Sequence, residues 1–335
     1  MPPAAIVPGA RSLAAAARRY YPVEAKGGCV TRSTGISEDR GRAWLRALRR
    51  SLLLAACVAG AAAGAWALWA HLTTDPLADV RAYYDAGARL NVGLPLYAPG
   101  ADTTTAAFYR YPPLLAIAFR PLALLPYPVA AVVWEAFVIA ALVLTLVRLG
   151  LTRRTAIAVA LLGVPIAWAV SIGQAQVPVT WLLALGAPWS VALAANLKIL
   201  PGLVALYWIG RGDWRRLGRF VAWVLGLLAL QFVLEPAGTK EFMTFSSLAQ
   251  VGEVNNLSPY ALSPALWAVL ALLGAVGTVW AARRNAGWPA AVAYSVLVSP
   301  RLLSYMLTSL LAALAGPRDG ARDGSELEPR SPGGA

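Results

Sequence analysis

Residues 51 to 70 form an apolar run without one charged side chain, and this run limits the fold more than any other feature of the chain. A helix needs about 20 apolar residues to cross the hydrocarbon core of a bilayer. Backbone amides find no water in that core, so a spanning segment has to satisfy its hydrogen bonds internally, as a helix does. The run is therefore predicted to be a first transmembrane helix.

Similar apolar segments follow along most of the chain. Hydrophobic residues make up 59% of the sequence and charged residues only 13%, which is far from the balance of a soluble domain. Further segments are found at 112–126, 128–147, 155–171, 176–188, 190–210, 217–235, 263–282, 287–299 and 302–316. They predict an all-α polytopic membrane protein with roughly eight to ten transmembrane helices.

Two of these segments are expected to be broken or re-entrant. Segment 112–126 is short, carries Arg120 and is bounded by prolines, whose missing amides interrupt a regular helix. Segment 190–210 contains Lys198 and Pro201 near its middle. Irregular backbone at membrane depth is tolerated where it lines a cavity, so these breaks indicate a binding site.

Basic residues predict the orientation. Ten Lys/Arg residues precede residue 51, and later clusters lie at 148–154, 211–219 and 283–284. Cytoplasmic loops are rich in Lys and Arg, so the N-terminus and these clusters are predicted to be cytoplasmic in a plasma-membrane protein. This clustering beside apolar segments accounts for the net charge of +13 without a nucleic-acid partner.

The same reasoning predicts the domain organisation. Residues 1–43 and 317–335 mix Pro, Gly, Ser and charge without a sustained period, as disordered cytoplasmic tails do. Residues 44–316 are predicted to form one membrane domain. Its first extracytoplasmic loop, residues 71–111, is expected to carry the active site. The first span begins too far from Met1 for an ordinary cleaved signal peptide.

Cysteine and histidine are too rare for several kinds of site. The chain has two cysteines, Cys29 and Cys57, and a single histidine, His71. Neither a disulfide framework nor a thiolate or imidazole metal site is expected from so few ligands. We therefore predict no cofactor and no dedicated metal site, while loose coordination of a divalent metal stays open.

Acidic residues are rare as well, with 16 Asp and Glu in 335 residues, yet several gather after the first span. These are Asp75, Asp79, Asp85 and Asp102. Asp75 followed by Pro76 is typical of a helix start, with the carboxylate as N-cap. The helix, expected to lie at the membrane interface and to reach about residue 90, would place Asp79 and Tyr83 on one face. Partial desolvation there would make Asp79 a proton acceptor; the alternative is a solvated surface acid.

Four cations are candidates for binding a phosphate group. Arg81 follows Asp79, Arg110 precedes the Tyr-Pro-Pro sequence at 111–113, and Arg301 follows Ser-Pro at 299–300. Lys198 is the fourth and lies in an otherwise uncharged stretch, where a charge is costly and usually functional. The alternative for each is a side chain that extends toward lipid headgroups.

Several short motifs occur in an order that resembles the polyprenol-phosphate-mannose-dependent mannosyltransferases of glycosyltransferase family 87, in the GT-C class. The motifs are Asp-Val-Arg-Ala-Tyr-Tyr at 79–84, Gly-Leu-Pro-Leu-Tyr at 93–97, Tyr-Pro-Pro-Leu at 111–114, Pro-Leu-Ala-Leu-Leu-Pro at 121–126, Gly-Gln at 173–174, Lys-Ile-Leu-Pro at 198–201 and Ser-Pro-Arg at 299–301. Together they extend over most of residues 70 to 315.

The resemblance implies an enzyme with a GT-C-like bundle and a catalytic aspartate in its first outer loop, here Asp79. It implies transfer of a hexose, foremost mannose, from a polyprenyl-phosphate donor to a glycolipid or polysaccharide acceptor, with inversion at the anomeric carbon. Asp79 would remove the proton of the acceptor hydroxyl. Substrate-binding residues are expected among Arg81, Tyr83, Arg110, Tyr111, Gln174, Lys198 and Arg301.

Two other classes of protein fit part of the pattern. A transporter or lipid-carrier flippase also needs broken helices and charges within the membrane, but the chain shows no internal repeat and its acids gather in a loop. A noncatalytic membrane subunit would use Asp79 only as a cap or an ion-pair partner.

Overall fold

A computed structural model describes residues 35–97, 108–244, 256–284 and 287–316, with side chains from residue 43 onward. The chain divides into two units, residues 1–52 and 53–335, and the architecture below is that of the second. Residues 317–335, most of the predicted N-terminal tail and Asp102 lie outside the described ranges, while the first helix already begins at Gly35.

Within these ranges the chain is helical and contains no β-strand. The α-helices are α1 (Gly35–Thr74), α2 (Ala78–Asn91), α3 (Pro113–Phe119), α4 (Tyr127–Leu149), α5 (Arg153–Leu161), α6 (Gly163–Ser171), α7 (Gln176–Leu185), α8 (Pro188–Leu197), α9 (Leu206–Arg211), α10 (Trp214–Leu234), α11 (Pro236–Thr244), α12 (Pro264–Arg283) and α13 (Gly287–Leu297). Shorter 3₁₀ segments cover Leu122–Leu124, Leu200–Ala205 and Pro259–Ala261, and a longer one covers Ser304–Leu314.

Four of the described helices are long and apolar enough to cross a membrane: Ala43–Thr74 within α1, α4, α10 and α12. The pair α5 and α6, bent by 68°, makes a fifth if it is one broken span. Only 11% of the apolar window of α10 and of α12 is buried, so their side chains face outward, as in helices solvated by lipid. The protein is an all-α polytopic membrane protein. The roughly eight to ten predicted helices thus include only four or five of full length.

Glycine and proline explain why the other apolar segments are short. Helix α7 ends at Gly186, whose φ of 66° suits glycine, and α8 begins with Pro188 at its first position. Helix α8 ends before Lys198, which is extended, and Pro201 lies in the following 3₁₀ segment. The interruption predicted at residues 198–201 is confirmed. Segment 112–126 is also broken as predicted, because α3 ends at Phe119 and a 3₁₀ turn follows.

The three basic clusters that follow the first span meet at one end of the bundle. Gly210 packs against Ala282, which brings the C-terminal ends of α9 and α12 together. Trp288, at the start of α13, donates from Nε1 to the carbonyl of Ala312 at 3.0 Å. Arg148, at the end of α4, donates to the carbonyl of Gly316 at 3.3 Å.

Helix α4 connects this basic end to the end that carries Asp79. Tyr127, the first residue of α4, lies under the guanidinium of Arg81, with 4.9 Å between the Cζ atom and the ring centroid. Helix α12 also ends at the basic end and is antiparallel to α13, since Trp267 near its start donates to the carbonyl of Val298, just after the end of α13. Asp79 and the basic clusters are therefore at opposite ends.

Helix α1 packs closely on the bend between α5 and α6. Gly60 lies against the backbone of Ala160, and Gly64 lies against the backbone of Gly163. A side chain at either glycine would meet main-chain atoms that cannot rotate away. Small residues thus allow two membrane helices to approach at backbone distance.

Helix α2 exists as predicted, but Asp75 does not cap it. Helix α1 continues to Thr74, so Asp75 directly follows it and its carboxylate reaches back to His71 Nδ1 at 2.8 Å. The Thr74 hydroxyl donates to the same carboxylate oxygen. The N-cap residue of α2 is Leu77, which makes no side-chain cap hydrogen bond. The capping role predicted for Asp75 was wrong.

The first amides of α2 are instead satisfied by the turn that follows α6. The Leu77 amide donates to the Ser171 carbonyl at 3.0 Å, and the Asp79 amide donates to the Ile172 carbonyl at 3.2 Å. Leu77 has a left-handed φ of 57°, which is strained for a leucine and aims α2 at this turn. The start of α2 is thus determined by a tertiary contact rather than by its own sequence.

Candidate active site

Helix α2 is embedded in the protein through one continuous face. Its buried residues are Val80, Ala82, Tyr83, Ala86, Gly87 and Leu90. The Tyr83 ring packs edge-on against Phe119, with 5.4 Å between centroids, and against Trp134, with 5.9 Å. Burying aromatic rings of this size stabilises the contact by a few kcal/mol. The packing holds Asp79, one turn before Tyr83, in a defined position.

Asp79 is bound by the side chain of Gln174 from the turn between α6 and α7. Gln174 Nε2 donates to Asp79 Oδ2. On its other side Gln174 Oε1 accepts hydrogen bonds from the hydroxyls of Tyr83, at 2.8 Å, and Tyr111, at 2.9 Å. Among the described residues Asp79 Oδ1 has no hydrogen-bond partner. One carboxylate oxygen is therefore held by Gln174, and the other is not engaged by a protein donor.

The surroundings of Asp79 raise its pKa to about 6, chiefly because burial removes water from the carboxylate. The positive charges of Lys198, Arg110 and Arg301 and the hydrogen bond from Gln174 oppose this shift, with Lys198 the strongest of them. A carboxylate with such a pKa is ionised at neutral pH and is a much better proton acceptor than an ordinary aspartate.

A cavity of about 620 Å³ is lined by the three cations whose charges act on Asp79, while Asp79 itself is not among its lining residues. Its polar lining residues are Arg110, Tyr111, Lys198 and Arg301, together with Gln176, Ser295, Ser299, Tyr305 and Ser309. Its apolar lining residues include Leu183, Ile199, Leu200, Leu228, Phe242, Met243, Val296 and Met306. Asp79 is connected to this lining through Gln174, which accepts a hydrogen bond from Tyr111. The cavity therefore combines cationic groups with apolar side chains suited to hydrocarbon.

Lys198, one of the cations that line the cavity, is held by neutral and aromatic side chains. Its Nζ donates to Gln176 Oε1 at 2.8 Å and lies 5.1 Å from the ring centroids of both Tyr111 and Tyr305. Gln176 Nε2 in turn donates to Ser309 at 2.6 Å. Cation–π contacts and a neutral amide support the ammonium group without neutralising it, so its charge remains available to an anion.

The two arginines are carried by loops that other polar groups hold in place. Tyr97 donates from its hydroxyl to the Tyr111 carbonyl at 2.7 Å, which secures the loop of Arg110. Asn256 donates to the Pro300 carbonyl and accepts from the Leu302 amide, both at 2.9 Å, and so brackets Arg301. Both guanidinium groups consequently reach the cavity from rigid backbone.

The seven residues that were expected to bind substrate fall into three groups. Arg110, Tyr111, Lys198 and Arg301 line the cavity. Tyr83 and Gln174 are fully buried behind Asp79 and do not line it. Arg81 points elsewhere: its Nε pairs with Asp85 at 3.0 Å and its guanidinium covers Tyr127. Helix phase explains the difference, since residues 79 and 81 lie about 200° apart around α2.

Three residues of this region were not predicted from the sequence: two line the cavity and one lies beside the Gly173 turn. Gln176 and Tyr305 position Lys198, and each lies next to a motif that was recognised. Glu135 lies inside the apolar run of α4, with its Oε2 against the Gly173 turn and without a hydrogen-bond partner among the described residues. A lone acid within a predicted span is the signal that could have revealed Glu135. Among the described residues no group of three or more acids, histidines and cysteines could hold a metal.

The fold and the site together define an integral membrane protein with three cations in a partly apolar cavity and an acid that interacts electrostatically with them. The model of glycosyltransferase family 87 matches residues 108–309, which is more than half of the chain. The protein belongs to glycosyltransferase family 87 and is a membrane glycosyltransferase. Asp79 precedes the matched residues, whereas Arg110, Tyr111, Gln174, Lys198 and Arg301 lie within them. Searches among curated proteins and among solved structures each gave no match.

Proposed function

We propose that this glycosyltransferase moves a hexose, foremost mannose, from a polyprenyl-phosphate donor to a glycolipid or polysaccharide acceptor at the extracytoplasmic face of the plasma membrane. The observation that carries the proposal is a single cavity lined both by the three cations that act on Asp79 and by apolar side chains. The cations suit a phosphate, and the apolar side chains suit the hydrocarbon chain attached to it.

The reaction is a single displacement with Asp79 as general base. The acceptor hydroxyl loses its proton to Asp79, its oxygen forms a bond to the anomeric carbon, and the bond from that carbon to the phosphate oxygen breaks. Polyprenyl phosphate leaves with the electron pair, and the charges of Lys198, Arg110 and Arg301 stabilise it. One displacement inverts the configuration at the anomeric carbon.

The distribution of basic residues supports an extracytoplasmic site. The clusters at the ends of α4, α9 and α12 lie at the end of the bundle opposite Asp79. If those clusters are cytoplasmic, Asp79 faces outward, where lipid-linked sugars are available and nucleotide sugars are not. Family membership favours a transferase over the transporter considered above.

Replacing Asp79 with Asn tests the base. Purified full-length protein with polyprenyl-phosphate mannose and candidate glycolipid acceptors should lose transfer by at least about 100-fold, because general base catalysis contributes that much or more. Asp85→Asn is the matched control, since Asp85 lies on the same helix but pairs with Arg81 away from the cavity. Undiminished transfer by a folded Asp79→Asn protein would show that another group is the base.

The acceptor can be found in cells. Mass spectrometry of envelope glycolipids from a deletion strain should reveal one truncated species, and the missing product identifies both the sugar and the acceptor. Complementation with the wild-type chain should restore the missing species and Asp79→Asn should not. An unchanged glycolipid profile would contradict a glycolipid acceptor.

A further inference from the structure

Gln174 was expected to contact substrate, but most of its hydrogen-bonding positions are occupied by protein groups. Both tyrosine hydroxyls donate to its Oε1 and its Nε2 donates to Asp79, so three of the four hydrogen-bonding positions of the amide are occupied. The side chain is fully buried, with a relative exposure of 0%. Gln174 therefore interacts mainly with other protein groups.

The orientation of the amide follows from the chemistry of its neighbours. An ionised carboxylate can only accept hydrogen bonds, so the Gln174 atom that faces Asp79 has to be the nitrogen. The oxygen then faces Tyr83 and Tyr111, whose hydroxyls donate. Burial raises the pKa of both phenols well above the ordinary value, so they remain protonated donors throughout the working pH range. A flipped amide would place its oxygen against the carboxylate.

The backbone of the turn at residues 172–174 also forms hydrogen bonds with the start of α2 and with Trp134. Ile172 accepts from the Asp79 amide, and the Gly173 carbonyl accepts from Trp134 Nε1 at 2.8 Å. Val80 packs against the Cα of Gly173. The turn thus fixes the main chain of residue 79 while Gln174 fixes its side chain, and neither depends on a bound substrate.

We infer that Gln174 is a positioning residue: its amide, oriented by Tyr83 and Tyr111, holds Oδ2 of Asp79 and leaves Oδ1 to receive the proton of the acceptor. This role rests on the proposed function of Asp79 as base. The hydrogen bond also favours the ionised form of Asp79, because it is donated to the carboxylate.

Gln174→Met tests this role, because methionine has a similar length and cannot donate a hydrogen bond. The ionisable groups that face Asp79 are unchanged by the substitution; they are Lys198, Arg110, Arg301, Tyr83, Tyr111 and Tyr305. Without the amide, the midpoint for ionisation of Asp79 should rise by about one pH unit. Infrared spectra of the purified full chain, recorded over a range of pH, measure this midpoint. The carboxyl band of Asp79 is the one that disappears in Asp79→Asn.

Gln231→Met is the matched control. Gln231 is an equally buried glutamine on α10, but it donates to Asn196 and accepts from the Leu114 amide, away from Asp79. It should lower thermal stability without moving the Asp79 midpoint. An unmoved midpoint in folded Gln174→Met, or an equal rise in Gln231→Met, would overturn the inference.

A double substitution, Tyr83→Phe with Tyr111→Phe, keeps Gln174 but removes both donors that orient it. Its Asp79 midpoint should rise as in Gln174→Met, and an unmoved midpoint in the folded protein would show that the tyrosines do not orient the amide. In transfer assays with polyprenyl-phosphate mannose, Gln174→Met should lower kcat on the order of 10- to 100-fold with little change in KM for the donor. Transfer that survives Asp79→Asn would refute the proposed base, whereas the infrared result decides the role of Gln174 alone.

Discussion

At the scale of single residues, the ionisation of Asp79 connects its burial to its reactivity. Asp79 lies against protein on most sides, and the loss of water there outweighs the attraction of three nearby cations. The resulting pKa of about 6 keeps the carboxylate ionised at neutral pH and makes it a stronger base, whose conjugate acid retains a proton more readily than an ordinary aspartic acid does.

The rate of transfer should accordingly depend on pH. Because the pKa of Asp79 is raised, the base is lost as the pH falls through about 6, and kcat/KM should decline about tenfold for each further pH unit. Initial rates between about pH 4.5 and 8 measure this. Asp85→Asn should leave this decline in kcat/KM at low pH unchanged. A rate that is constant down to about pH 4.5 would be inconsistent with Asp79 as the base.

Gly173 is a second residue whose substitution has a definite expected result. Its φ of 65° disfavours any side chain, and a Cβ there would overlap the Val80 side chain. Gly173→Ala should therefore destabilise the protein by about 2 kcal/mol or more and displace α2 from the turn. The unfolding midpoint in detergent and the transfer rate should both fall.

Gly212→Ala separates the strain of the left-handed backbone from the overlap with Val80, because Gly212 has a similar φ of 68° but no atom within 4 Å of a Cβ. This substitution should lower the free energy of unfolding by only about 1 kcal/mol, which is the strain of a left-handed alanine. If both substitutions lower the unfolding midpoint equally, contact with Val80 contributes nothing to stability.

At the scale of helices, the contact of α1 with the α5–α6 bend depends on glycine. Gly60→Ala would place a methyl group against the Ala160 carbonyl, so α1 has to move outward, and we expect a loss of about 1–3 kcal/mol. Gly226→Ala is the matched change within α10, where nothing lies within 4 Å. It should be neutral or stabilising by up to about 1 kcal/mol.

Unfolding midpoints of the two alanine variants, measured in the same detergent, distinguish packing from helix propensity. Propensity alone favours alanine over glycine at both positions. A gain in stability for Gly60→Ala as large as that for Gly226→Ala would mean that α1 is not packed at backbone distance.

For the whole molecule, the separation of charge predicts the direction of insertion. Leu151, in the short connection between α4 and α5, is 95% exposed at the basic end, and Leu262, before α12, is 84% exposed near the other end. In a variant without Cys29 and Cys57, a membrane-impermeant thiol reagent should label Leu262→Cys in intact cells. Leu151→Cys should be labelled only after permeabilisation. The reverse pattern would place the active site in the cytoplasm.

The sequence by itself determined the helical membrane fold and the positions of its breaks. Apolar length, proline and glycine act within a few residues of the chain, so the spans and the interruption at Lys198 could be predicted from local rules. The same rules identified Asp79 as an acid with an unusual position, and the family motifs identified most of the cavity cations.

Only the tertiary structure decided how these residues meet. Gln174 holds Asp79 across 95 positions of sequence, Asp75 turns back to His71, and Arg81 pairs with Asp85 away from the cavity. Each outcome depends on packing between helices that are distant in sequence, and local periodicity contains no information about that packing. A buried carboxylate acquires its partner and its pKa from the elements folded around it, because desolvation and hydrogen bonding depend on position in space.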